Sequence, residues 1–212
     1  MKTLISLLTL ATCGVLIAGC LSSGYKKAGT ASTSLRDTAQ GIDNALAPLD
    51  AVVVALSDLV TNPGPDITLQ FRKFSAAVSN LESLANEVSS RELAMREQGA
   101  AYFQKWDEEL PKIQNNDIQT RSLDRKNAVA ARFEKVRISY AQTTANFAPF
   151  MSDLKDIRTA LATDLTAGGI ASVKGLAAQA SDRVPPLRES LIRLSTEFKN
   201  LGVSLSTATP AT

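Results

Sequence analysis

Few side chains in this sequence could do chemistry. Cys13 and Cys20 are the only thiols, and the chain contains no histidine. Without histidine, the commonest general base, the commonest zinc and haem ligand and the usual pH switch are all missing. Composition therefore excludes Ser-His-Asp and Cys-His nucleophile arrangements, and no phosphate-cradling glycine loop occurs. Carboxylates alone can hold metal when several face inward, as in di-iron bundles that also need Glu-x-x-His motifs. Only one acid, Glu92, falls on an apolar track. It reads as a rim residue or as a polar layer that fixes register. No catalytic residue, metal or cofactor is expected, and the chain is read as not an enzyme.

The setting of Cys20 gives it a different use. Met1-Lys2 is a short basic start, Leu4 to Ile17 is mostly apolar, and Ala18-Gly19 are small, which are the three parts of an export signal. Leu4 to Gly19 is 16 residues, fewer than the roughly 20 that a relaxed bilayer span requires. The junction Ile17-Ala18-Gly19-Cys20 resembles the cleavage box of bacterial lipoproteins, which implies lipidation of Cys20 and removal of residues 1–19. Cys13, preceded by Leu-Ala-Thr, fits that box poorly and would leave with the signal. An uncleaved N-terminal anchor helix is the alternative. Two or three acyl chains, at about 0.8 kcal/mol per buried methylene, make attachment effectively permanent. Leu21 rather than Asp follows the cysteine, which in Gram-negative lipoproteins is the pattern sorted to the outer membrane, facing the periplasm. Residues 20–34, rich in Ser, Gly, Thr and Ala, read as the lipidated cysteine and a flexible tether.

Beyond the tether, breakers at Asn62-Pro63-Gly64-Pro65, Pro111 to Asn116 and Gly168-Gly169 divide the chain into four segments. Apolar residues step alternately by four and three in each: Leu35, Ala39, Ile42, Leu46, Leu49 in the first; Phe74, Val78, Leu81, Ala85, Val88 in the second. Val136, Tyr140, Thr143, Phe147, Phe150 and Leu187, Leu191, Leu194, Phe198, Leu201 continue the pattern. This period keeps one seam facing a partner helix. The expected fold is all-α: an elongated antiparallel four-helix bundle or coiled coil over 35–206, with helices near 33–61, 66–110, 117–167 and 170–206 and a disordered tail at 207–212. Pro149 and Pro185-Pro186 should kink their helices. Facing residues should include Val60 with Ile67, Trp106 with Ser122, Phe74 with Ala180 and Phe71 with Ala177. The second and third helices outrun the others, so Glu92 to Leu110 should protrude by roughly 27 Å as a hairpin tip.

Tyr102 and Trp106, the only tryptophan, lie near that tip. Aromatic pairs at half-covered sites suit protein or headgroup contact; the competing reading has both rings capping the hairpin core. Glu109, Arg121 and Arg125 complete the candidate partner-binding tip. The second helix is acidic there (Glu87, Glu92, Glu97, Asp107, Glu108, Glu109) and the third basic (Arg121, Arg125, Lys126, Arg132, Lys135, Arg137). Opposite runs reinforce the pairing, with a peptidoglycan or anionic-lipid site as the other reading. Val52, Leu59, Leu84 and Leu93 lie off the tracks and either widen the core or cover a second copy in a homo-oligomer.

Trp106-Asp107-Glu108-Glu109-Leu110 and Phe150-Met151-Ser152-Asp153-Leu154-Lys155-Asp156-Ile157 carry a resemblance to a proteobacterial lipoprotein family catalogued as domain of unknown function 2959. It covers most of the mature chain, implies a Gram-negative envelope setting and brings no catalytic or binding residues. The expected function is a non-catalytic scaffold, tether or accessory subunit, anchored in the membrane by its lipid and contacting an unknown envelope protein. A net charge of +2 gives no reason to expect nucleic acid. The alternative is a ligand-sensing bundle, resembling chemoreceptor extracytoplasmic domains, with a small molecule near Pro149 and Pro185, between Leu49, Val78, Phe150 and Val184.

Overall fold

The computed structural model describes residues 22–206, which are helical apart from short connections. In chain order, α1 is Ser22–Thr61, α2 Ile67–Glu109, α3 Asn116–Thr163, α4 Ala167–Asp182 and α5 Val184–Leu205, with a 3-10 turn at Leu110–Lys112. No strand occurs among the described residues. The helices α2, α3 and α4 each begin at a cap that supplies an acceptor to a free N–H of the first helical turn. Asp66 Oδ1 accepts from the Leu69 N–H at 2.9 Å, Asn115 Oδ1 from Ile118 at 3.0 Å and Thr166 Oγ1 from Gly169 at 3.2 Å. Gly169 is required there, because a Cβ would lie 1.9 Å from the Asp164 carbonyl oxygen.

One apolar core runs through all the helices. Leu35, Ile42, Leu49 and Leu56 of α1, Phe74, Val78 and Leu81 of α2, Phe150, Leu154 and Ile157 of α3, and Phe198 of α5 are fully buried. Phe74 and Ala180 are both fully buried in the core, whereas Phe71 is only half-buried against it. Val52 and Leu59 are fully buried within this single chain, so they widen the core stripe; Leu84 is half-buried and Leu93 exposed. By length and composition α1 could cross a membrane over Lys26–Thr61. Its apolar seam is instead committed to the core.

Between α1 and α2, Gln70 Nε2 donates to Asp58 Oδ2 at 3.0 Å, and Arg91 Nη1 to the Asp37 carbonyl at 3.2 Å. Between α1 and α5, Ser32 Oγ donates to the Gly202 carbonyl at 2.8 Å, and Arg188 pairs with Asp50 at 2.7 Å. The α2/α3 pairing follows expectation at Trp106 and Ser122 but slips towards the base, where Glu82 meets Lys155 and Ser79 meets Arg158.

Three sequence expectations are corrected. The supposed tether is helical from Ser22, because its small residues have somewhere to pack: Ala31 and Ser32 are buried, and Ser32 bonds to α5. The start of α1 moves from 33 to 22, roughly 16 Å at 1.5 Å per residue. On the pairing set by Asp58 with Gln70 and Asp37 with Arg91, Ser22 is level with Trp106. The hairpin is therefore accompanied by α1 over most of the length expected to protrude. Second, Pro185-Pro186 interrupts the fourth helix at Arg183 instead of bending it; two consecutive missing N–H donors suit the first turn of a new helix. Pro149 and Pro48 both lie inside continuous helices. Third, the acidic and basic runs mostly pair locally, as in Arg91–Glu87, Lys105–Glu109 and Arg137–Glu134. Lys126–Asp107 does cross from α3 to α2.

Candidate functional site

The tip is built on aromatic contacts. Tyr102 and Trp106 meet edge-on with ring centroids 5.3 Å apart, Tyr102 and Phe103 lie 5.4 Å apart, and Phe103 meets Phe133 of α3 at 5.2 Å. Tyr102 is buried, and burial raises its phenol pKa. Trp106 is half-buried and donates its indole N–H to Ser122 Oγ at 3.0 Å. Trp106 therefore ties α2 to α3, and Tyr102 packs against its ring from the same helix. Glu109 accepts from Lys105 at 2.7 Å and Lys112 at 3.0 Å, and these hydrogen bonds lower its pKa. Arg125 reaches the Ser204 carbonyl at 3.3 Å, and Arg121 is exposed. The five tip residues thus fall into two groups: Tyr102 and Trp106 form an aromatic pair that Trp106 bonds to α3, while the charged three stay at the surface.

Further along the α2/α3 flank is an open apolar groove of about 550 Å³, floored by Met95, Gly99, Phe103 and Phe133. Arg96, Glu97, Glu134 and Arg137 line it as well. Leu93 on its margin is 54% exposed, in contrast to the buried seam beside it. Gly99 sets the depth, since a Cβ there would come within 2.7 Å of the Phe133 ring. Glu92, next to Leu93 in the chain, is buried, with Arg96 Nε 3.8 Å away. Desolvation raises its pKa, and Arg96 and then Arg137 oppose that shift.

A second, half-enclosed cavity of about 310 Å³ lies between α2 and α3. Its walls include Ile42, Ala85, Thr143 and Leu191, with Tyr140 and Phe147 above and below on α3. Ala85 and Thr143 are the small members of one core layer, and they leave it underfilled. Lys155 and Glu82, 2.6 Å apart, stand at one end. The site expected from sequence for a ligand lies elsewhere: Leu49, Val78 and Phe150 are fully buried and Val184 half-buried, and none of the four lines either of these two hollows. The sequence puts Ala85 and Thr143 on facing tracks, and their small volumes at one level are the signal that marks this cavity.

No group of three or more Asp, Glu or Cys side chains suited to a metal occurs among the described residues. Cys20, the signal segment and the tail at 207–212 lie outside the described residues. The family described as protein of unknown function DUF2959 matches residues 22–197, and the chain belongs to it. No curated protein and no solved structure matches the chain.

Proposed function

We propose that this member of the DUF2959 family is a non-catalytic scaffold or tether of the bacterial envelope, anchored in the outer membrane through lipidated Cys20 and facing the periplasm. Its fold, on this reading, is an elongated antiparallel bundle in which α2 and α3 form a hairpin reaching only slightly beyond α1. The observation that carries the binding role is the apolar groove beside Leu93, rimmed by charges of both signs. Exposed apolar surface framed by polar residues is the usual make-up of a protein contact. In-cell crosslinking from Leu93 and Ala100 should capture a discrete envelope protein; capture of lipid and water alone would count against the scaffold.

The cavity beside Ala85 and Thr143 favours a second reading, a ligand-sensing bundle that signals through a partner. An apolar floor with a few polar groups is what small-molecule sites offer. Ala85→Leu, which fills that space, should leave the captured partner unchanged if the scaffold reading holds and should abolish a ligand response if the sensing reading holds.

A further inference from the structure

The position of the first helix fixes which end of the bundle meets the membrane. Ser22 begins α1 only two residues after Cys20, a link that can span at most about 7 Å. If Cys20 carries acyl chains, as proposed above, the start of α1 is held at the bilayer surface. Ser22 is level with Trp106 on the α1/α2 pairing, and Trp106 is bonded to Ser122 of α3. Ile118 lies one turn beyond Ser122, roughly 6 Å further towards the anchor, and the connection Leu110 to Asn115 extends past it. The turn therefore reaches about as far as the link does.

Its composition suits that place. Ile118 is 58% exposed, Pro111 is exposed, and Leu110 and Ile113 are half-buried. Trp106, with an apolar body and a polar N–H, is of the type enriched at membrane interfaces. Charges at the tip balance: Lys105, Lys112, Arg121, Arg125 and Lys126 stand against Asp107, Glu108, Glu109, Asp117 and Asp124, with Lys105 and Lys112 paired to Glu109 and Lys126 to Asp107. Attraction to anionic lipid is thus not the driving force.

We propose that the α2/α3 turn is a second membrane contact: Leu110, Pro111, Ile113 and Ile118 enter the headgroup layer of the bilayer that holds Cys20. The bundle then stands on its tip. Its other end, at Asn62–Asp66 and Asp164–Thr166, points away by about 60 Å, the length of α1 at 1.5 Å per residue.

The lipidated mature chain has no other thiol, so single cysteines can carry an environment-sensitive fluorophore. Lys112→Cys and Gln114→Cys place it in the turn, and Pro65→Cys at the far end; all three positions are exposed. In vesicles of phosphatidylethanolamine and phosphatidylglycerol containing nitroxide-labelled lipid, the turn probes should be quenched several-fold more than the Pro65→Cys probe. Added salt should change this little, and Ile118→Asp should reduce it. Equal quenching at both ends, in a chain whose mass confirms acylation, overturns the standing arrangement while leaving the anchor intact. A chain without acyl groups overturns the anchor itself, and this proposal with it.

Discussion

The indole N–H of Trp106 donates to Ser122 Oγ at 3.0 Å, joining the last turns of α2 to the first turns of α3. Ser122→Ala leaves this half-buried donor without its protein partner. Chemical unfolding should show a loss of about 0.5–1.5 kcal/mol, with a shift in emission of the single tryptophan. A variant as stable as the parent, with the same spectrum, would mean that water replaces Ser122 at no cost.

Gly99 and Phe133 set how closely the two arms approach. Gly99→Leu puts side-chain atoms where the Phe133 ring lies, and should cost about 1–3 kcal/mol by overpacking. Adding Phe133→Ala should recover part of that loss, giving a coupling that a double-mutant cycle measures. Strict additivity would show that the rings do not share this space.

Filling the underpacked layer should stabilise the bundle. Ala85→Leu adds apolar volume beside the cavity lined by Thr143 and Leu191, and should gain about 0.5–2 kcal/mol. Phe150→Ala, in the closed layer, should instead lose about 3–5 kcal/mol. If both variants lose stability equally, the cavity does not exist in solution.

Glu92 provides a pH signature. Burial raises its folded-state pKa above the unfolded value, so the folded form binds the proton more tightly. The charged group therefore destabilises the fold above that raised pKa, and the penalty is relieved as pH falls towards the unfolded value. Glu92→Gln should be more stable than the parent at neutral pH, with the advantage shrinking towards the ordinary carboxylate range. An advantage that grows on acidification would reverse the sign and place Glu92 in a stabilising ion pair with Arg96.

Period and breaks are legible in the sequence because they are local properties of the chain. Alternating steps of four and three mark every helix, and the breakers at Asn62 to Pro65 and at Pro111 to Asn116 fall between them. The pairing of Trp106 with Ser122 follows from placing the midpoint of the second break. Residues 22–34 escape such a reading because Ser, Gly, Thr and Ala carry no apolar period of their own. They become helical through contacts that only the assembled bundle supplies, such as Ser32 with Gly202. The local pairing of charges on α2 and α3 is likewise hidden, since a string of acids and bases does not reveal which rotamers reach across. Tyr102 and Trp106 stand out as a unit in the sequence, but the tie from α2 to α3 depends on the hydrogen bond of Trp106, against whose ring Tyr102 packs.

Backbone amide exchange across residues 26–40 of the lipidated protein tests the central claim most directly. A first helix that starts at Ser22 and packs along α2 and α5 predicts slow exchange at Ala31, Ser32 and Leu35, comparable with Leu49 and Leu56. Exchange at the rate of an unstructured peptide up to Leu35 would restore a flexible tether. The bundle would then be free of the membrane surface, contrary to the arrangement argued here.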